Sequence, residues 1–257
     1  MRFLLTNDDG IYARGLSALY DELSKDADCL IVAPEIEQSA VGHAITIFRP
    51  LMVRRAIKNG NFLGYAVYGT PADCVKIGIR ELSDKPVDLV VSGINRGANV
   101  GINIIYSGTV SAATEAVIMG VPALAVSLDT RKEADYTFAA QFARRIVHFF
   151  INNTGLKNTA FNLNIPALPA DKIKGLAVVR QGKGNIIENY EKRIDPRENT
   201  YYWISGESQI LREETDTDIS ALAAGYITLT PIQYDLTRYD LLETLQQAIG
   251  DIGELKL

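Results

Sequence analysis

The sequence predicts an α/β fold: a Rossmann-like, three-layer, doubly wound and mostly parallel sheet with a β-hairpin extension and a C-terminal helical segment. Three observations lead there. Short apolar runs recur along the chain, helix-like segments separate most of them, and strands apolar on both faces suit a parallel sheet buried between two helix layers. The 257 residues, 47% hydrophobic and 22% charged, supply enough apolar material for one large core. They read as a single domain over 1–257, with a hairpin-bearing extension over about 181–225 that suits oligomerisation.

Taken in order, RFLLT at 2–6 ends in Asn7-Asp8-Asp9-Gly10, helical spacing follows from Leu16 to Leu23, and CLIVAP at 29–34 completes a β-α-β opening. YAVYG at 65–69 is the next strand. Thr70-Pro71 then fits an N-cap with proline at the first helical position, and Asp73 sits in the first turn. DLVVSG at 88–93 precedes a helix over 110–120 that Gly120 and Pro122 stop. PALAVSL at 122–128 and FNLNIP at 161–166 continue the strands, with the helical run FARRIVHFF between them. After about residue 180, turn residues and charges surround the patch Tyr201-Tyr202-Trp203, which suits packing or a subunit contact better than base stacking. YITLTP at 226–231 returns to the sheet, and the amphipathic TRYDLLETLQQAI should close the fold as a helix.

With 26 basic and 31 acidic residues the net charge is −5, which provides no basic stripe and argues against a polymeric nucleic-acid partner. Cys29 and Cys74 lie in apolar contexts and read as small core residues in a reducing compartment. The N-terminus lacks the apolar length of a signal peptide, and no run approaches the roughly 18 apolar residues of a membrane span. A cytoplasmic protein with no membrane partner is the expectation.

In open α/β sheets, ligands gather beyond the carboxyl ends of the strands, so the polar residues there are the candidates. Four places qualify. Asp8 and Asp9 leave strand one side by side; a hard divalent cation such as Mg²⁺ or Mn²⁺ would relieve their repulsion, although both could instead cap the following helix. The segment from Glu37 to His43, past CLIVAP, offers Ser39 as an oxygen ligand, Gly42 for close approach, and His43 to protonate a leaving group or touch phosphate. Ser92 to Gly101 alternates glycine and asparagine, so Asn95 could give the metal a neutral oxygen and Arg96 could meet a phosphate. Ser107, Gly108 and Thr109 precede a helix, where free amides and two hydroxyls form an anion site. All four fall on one edge of the predicted sheet.

These residues resemble the SurE family of 5′-nucleotidases, through TNDDG at 6–10, PEIEQSAVGHA at 34–44, GTPADCV at 69–75, SGINRGANVG at 92–101 and YSGTVSAATEA at 106–116. PRENTYYWISG and Thr215-Asp216 resemble the family's extension. The resemblance implies one divalent cation per subunit, Mg²⁺ or Mn²⁺, held by Asp8, Asp9, Ser39 and Asn95. Asp8, Asp9 and Asn95 would be catalytic, while Asn7, Gly42, His43, Asn99, Ser107, Gly108 and Thr109 would lie around the substrate phosphate. It further implies hydrolysis of nucleoside 5′- and 3′-monophosphates and short polyphosphate by metal-activated water, in a homodimer or homotetramer. Ala116 and Asn103 depart from the family pattern, and Asn103 bears on substrate preference. Competing readings are a non-catalytic nucleotide or metal sensor and a metal-dependent nucleotide-sugar glycosyltransferase. A haloacid-dehalogenase-like phosphatase would need its nucleophile where Asn7 stands.

Overall fold

The computed structural model describes residues 1–153, 159–184, 189–205 and 214–249. Parts of the expected extension, at 185–188 and 206–213, and the end of the chain at 250–257 lie outside the described residues.

Chain order begins β1 (Arg2–Thr6), α1 (Arg14–Leu23), β2 (Asp28–Pro34), β3 (Val53–Lys58), β4 (Asn61–Val67), α2 (Pro71–Ile77) and β5 (Leu89–Arg96). It continues α3 (Gly108–Ile118), β6 (Ala123–Asp129), α4 (Thr137–Asn152), β7 (Ala160–Pro166), β8 (Leu176–Val178), β9 (Asn189–Ile194) and β10 (Thr200–Ser205), and ends α5 (Asp218–Ala223), β11 (Ile227–Ile232) and α6 (Leu242–Ile249). A nine-stranded sheet takes the order β3-β4-β2-β1-β5-β6-β7-β11-β8, antiparallel at β3–β4 and β7–β11 and parallel at its other neighbours. The expected doubly wound, mostly parallel sheet is what forms.

Side-chain alternation along β1 explains the two helix layers. Phe3 and Leu5 pack with Leu16 and Leu19 of α1 and Ala140 and Ala143 of α4. Leu4 points the other way, into a cluster with Cys74 and Val75 of α2 and Val110 and Ala113 of α3. A strand buried on both faces reads as an unbroken apolar run, which is why RFLLT carries no polar alternation. The winding reverses between β1 and β5, so their carboxyl ends bound a crevice.

Four features differ from the sequence expectation. The strand before YAVYG's position was not foreseen: β3 pairs with β4 as a hairpin around Asn59 (φ 53°) and Gly60 (φ 78°). Nor was the short strand β8, which pairs in parallel with β11 along Leu176–Val178. The expected loop at 92–96 is strand, because the register with β6 resumes past an irregularity, pairing Asn95 with Ser127 and Arg96 with Leu128. The C-terminal helix does not close the fold on its own chain, since Leu242, Leu245 and Ile249 of α6 are exposed. Beyond the sheet, β9 and β10 form a separate antiparallel hairpin with Tyr202 and Trp203 exposed.

Candidate functional site at the carboxyl edge of the sheet

The turn leaving β1 carries the acids. Gly10 holds φ 97°, a left-handed conformation suited to glycine, and Asn7 donates through Nδ2 to the Gly10 carbonyl at 2.9 Å, which shapes the turn. Asp8 is buried, and its Oδ1 accepts a hydrogen bond of 2.5 Å from Thr109 Oγ1 at the start of α3. Asp9 is more open; its Oδ2 accepts from the backbone amide of Arg96 at 3.2 Å. Burial raises the Asp8 carboxyl above its ordinary value, opposed by the Thr109 hydroxyl. Burial first, and the Asp8 charge second, push Asp9 up to about 6.

The tip of α3 is capped by Ser107, whose Oγ accepts from the Val110 amide at 3.1 Å. The helix therefore begins at Gly108, two residues earlier than the sequence spacing predicts. Gly108 lies against Asp8 so closely that a Cβ there would sit 2.8 Å from Asp8 Cβ. Carboxylate and helix tip are thus in direct contact.

The loop after β2 is tied to the same place, the amide of Gln38 donating to the Asp8 carbonyl at 2.8 Å. Within it Ser39 donates to Glu37 Oε1 at 2.5 Å, and the Gly42 amide donates to the Tyr106 carbonyl at 3.0 Å. His43 turns away from the helix tip: its Nε2 lies 2.8 Å from Glu115 Oε2, and Thr114 Oγ1 lies 3.4 Å from Nδ1. Glu115 is six residues beyond Thr109, roughly 9 Å along the axis at 1.5 Å per residue. Asn95 directs Nδ2 to the Gly97 carbonyl at 2.8 Å. Asn99 is held by a buried polar network: its Nδ2 donates to Ser127 at 2.9 Å, and its carbonyl accepts from Asn162 and Asn164 at 2.7 and 3.0 Å.

The structure therefore gathers Asp8, Asp9, the loop of Gln38 and Ser39, the Asn95–Arg96 strand end and the Ser107–Thr109 tip, while the side chains of His43 and Asn99 engage other partners. A cavity of about 170 Å³ opens beside Asp9, lined also by Glu37, Arg96, Arg14 and Tyr136. A larger one of about 790 Å³ runs along α3, lined by His43, Ser111 and Thr114 among others; neither Asp8 nor Asp9 lines it.

Sequence reasoning assigned no role to Glu37, Glu115 or Tyr136. The Glu37 charge raises both Asp8 and Asp9, and its neighbour Ser39 was the available signal. Tyr136 arrives from the segment before α4, where no local pattern announces it. Among the described residues no cluster of three or more His, Cys, Asp or Glu side chains stands ready for a metal. A cation here would rely on Asp8 and Asp9 together with neutral oxygens.

Fold and site together define an α/β enzyme whose acidic crevice, at the switch point of the sheet, meets the N-terminal tip of α3. The chain belongs to the SurE family, since the model described as Survival protein SurE matches residues 3–188. It is 68% identical over 251 residues to a 5′-nucleotidase SurE of Syntrophus aciditrophicus, covering 97% of this chain and 94% of that one. A 5′-nucleotidase SurE of Syntrophobacter fumaroxidans is 50% identical, with 95% and 98% covered. The crystal structure of the SurE protein from Aquifex aeolicus superposes with a TM-score of 0.83 at 40% identity, covering 96% of this chain and 99% of that one.

Proposed function

We propose that the chain is a divalent-metal-dependent 5′-nucleotidase that hydrolyses nucleoside 5′-monophosphates to nucleoside and inorganic phosphate, with 3′-monophosphates and short polyphosphate as further substrates. The observation that carries this reading is the contact between Asp8 and the tip of α3, an arrangement that suits a cation at the acid and a phosphate at the helix end. The names of the two bacterial relatives support the nucleotide substrate.

The residues fit a hard cation. Asp8 and Asp9 are desolvated neighbours whose charges oppose each other, the donors at hand are oxygens, and Asn7 Oδ1 is buried without a protein partner. Asp8, Asp9, Ser39 and Asn95 would hold one Mg²⁺ or Mn²⁺ per subunit. When bound, the ion supplies Lewis-acid polarisation of the phosphoryl group and a more acidic water.

The chain's own groups do the rest. The amide of Gly108 opens α3 without an acceptor within the helix and is placed to grip a phosphoryl oxygen, whereas the Thr109 amide already donates to the Asp8 carboxylate. With the hydroxyl of Ser107 it stabilises charge developing in flight, roughly 3 kcal/mol for each well-placed donor, while the Thr109 hydroxyl holds Asp8 in place. Asp9, the more open acid, orients the attacking water. Arg96 lines the cavity beside Asp9 and balances charge there.

Assembly into a homodimer or homotetramer is part of the proposal, supported by the exposed aromatics of the β9–β10 hairpin and the exposed leucines of α6. Unpaired Cys29 and Cys74 suit a cytoplasmic setting. Among the described residues no helix is long and apolar enough to cross a membrane.

Phosphate release across 5′- and 3′-nucleotides, polyphosphate and an aryl phosphate, repeated after chelation and metal add-back, tests the reading. Turnover of AMP should vanish with chelator and return with Mn²⁺ or Mg²⁺, and Asp9→Asn should abolish it in a folded protein. Full Asp9→Asn activity at saturating Mn²⁺ would reject the assignment.

A further inference from the structure

We infer that Glu115 is a positioning residue: through His43 it fixes the loop after β2, and with it Ser39, over the carboxyl end of β1. The inference rests on the cation reading above. Glu115 sits on α3, a helix buried from Gly108 to Val117, and its side chain is 5% exposed. Such a carboxylate persists in a core only when both oxygens are paired. Here Oε2 meets His43 Nε2 and Oε1 meets Lys76 Nζ, each at 2.8 Å.

The loop needs that post. Residues 37–52 form neither helix nor strand, Ala40 and Gly42 take left-handed φ of 55° and 64°, and most of the segment is exposed. Its near end is held by the Gln38 amide on Asp8, and its far end by Thr46, which donates through its amide and hydroxyl to Asp73 at 2.9 and 2.7 Å. Midway, the Gly42 amide reaches Tyr106, and His43 reaches Glu115. A rigid helix thereby holds the middle of an irregular loop through a charge-assisted bond. The ring of His43 is committed along the flank of α3 and not at its tip, which assigns it to this anchoring.

The test uses Glu115→Gln, His43→Asn and the double variant in the full chain. Three quantities are read: the rate of chymotrypsin cleavage after the fully exposed Phe48 in chelated protein, Mn²⁺ affinity by titration, and kcat against KM for AMP. Each single variant should speed cleavage and weaken Mn²⁺ about tenfold, the size of one charge-assisted hydrogen bond. The double variant should be no worse than the worse single, and kcat of Glu115→Gln should recover as Mn²⁺ is raised. Unchanged cleavage and Mn²⁺ affinity in Glu115→Gln, or additive losses in the double variant, would overturn the inference. His43 is 34% exposed, so its variant keeps the test open if Glu115→Gln fails to fold. Should the parent protein neither bind Mn²⁺ nor release phosphate, the functional reading fails, and cleavage at Phe48 still decides the anchoring.

Discussion

Replacing Gly108 with alanine should be destabilising where helix propensity alone says the opposite. Alanine in place of glycine within a helix ordinarily gains about 1 kcal/mol, and Gly108 has no left-handed φ that would cancel the gain. Its new Cβ, however, would stand 2.8 Å from Asp8 Cβ, 3.0 Å from Pro71 Cγ and 3.1 Å from Asp8 Oδ2. Asp8 Cβ is fixed to the exit of β1, and Pro71 belongs to the first turn of α2, so neither can swing aside as the end of a long side chain would. Overpacking of this kind costs typically 1–3 kcal/mol, leaving a net loss of about 1 kcal/mol after the propensity gain. For a chain of this size that lowers Tm by roughly 2–4 °C. Turnover should suffer more, because Asp8 moves relative to the tip it contacts, and a displacement of about 1 Å can cost on the order of a hundredfold. Urea unfolding in chelator and phosphate release from AMP measure the two effects. A variant that is more stable than its parent and equally active would refute the packing of α3 on Asp8.

Two further outcomes follow from the ion pairs and caps. Buried Asp218 accepts from the amides of Gly101 at 3.0 Å and of Gly182 and Ile219 at 2.8 Å, so Asp218→Ala should cost about 3 kcal/mol in urea unfolding by stranding buried donors; a loss below about 1 kcal/mol would contradict that tie between the loop after β5 and the extension. Hydrogen bonds from Arg144, and then from His148, lower Asp26 to about 2. Because its folded value lies below its unfolded one, this contribution is complete above pH ~4 and fades as pH falls toward 2. Low-salt unfolding should show Asp26→Asn losing less stability than the parent across that window, and parallel pH profiles would count against the pairing.

Much of the fold was legible because parallel strands and covering helices leave strong local marks. RFLLT, CLIVAP and PALAVSL each carry a buried strand, and Thr70-Pro71 with Asp73 forms the capping box that starts α2. The β3–β4 hairpin went unread although Asn59-Gly60 is a turn signal, because charged Arg54, Arg55 and Lys58 on an exposed edge strand obscured its apolar pattern. Nothing local distinguishes an amphipathic helix that closes its own fold from one that presents leucines outward, so the course of α6 could not be read. At the site, residue types and strand ends were legible, whereas side-chain direction was not. His43 and Glu115 are 72 residues apart, and only the assembled sheet brings them together.

Several polar atoms that the core leaves unpaired border the crevice beside the acids. Thr6 Oγ1, Asn7 Oδ1 and Ser92 Oγ are buried without a protein partner; Thr6 and Asn7 lie at the carboxyl end of β1, and Ser92 is the register partner of Thr6 on β5. Each such atom costs on the order of 1–3 kcal/mol, a burden that apolar residues at these positions would remove. A second set, Asn162 Oδ1, Thr228 Oγ1 and Thr230 Oγ1, spans β7 and β11, where the register places Thr230 opposite Asn162 and Thr228 opposite Asn164. Those asparagines hold the Asn99 carbonyl, and through it the loop that runs on to Ser107. One set therefore borders the acids directly and the other braces the approach to the helix tip. Some of the polar groups that weaken the core thus lie beside two opposed carboxylates, the pattern expected where stability is given up locally to keep a crevice polar.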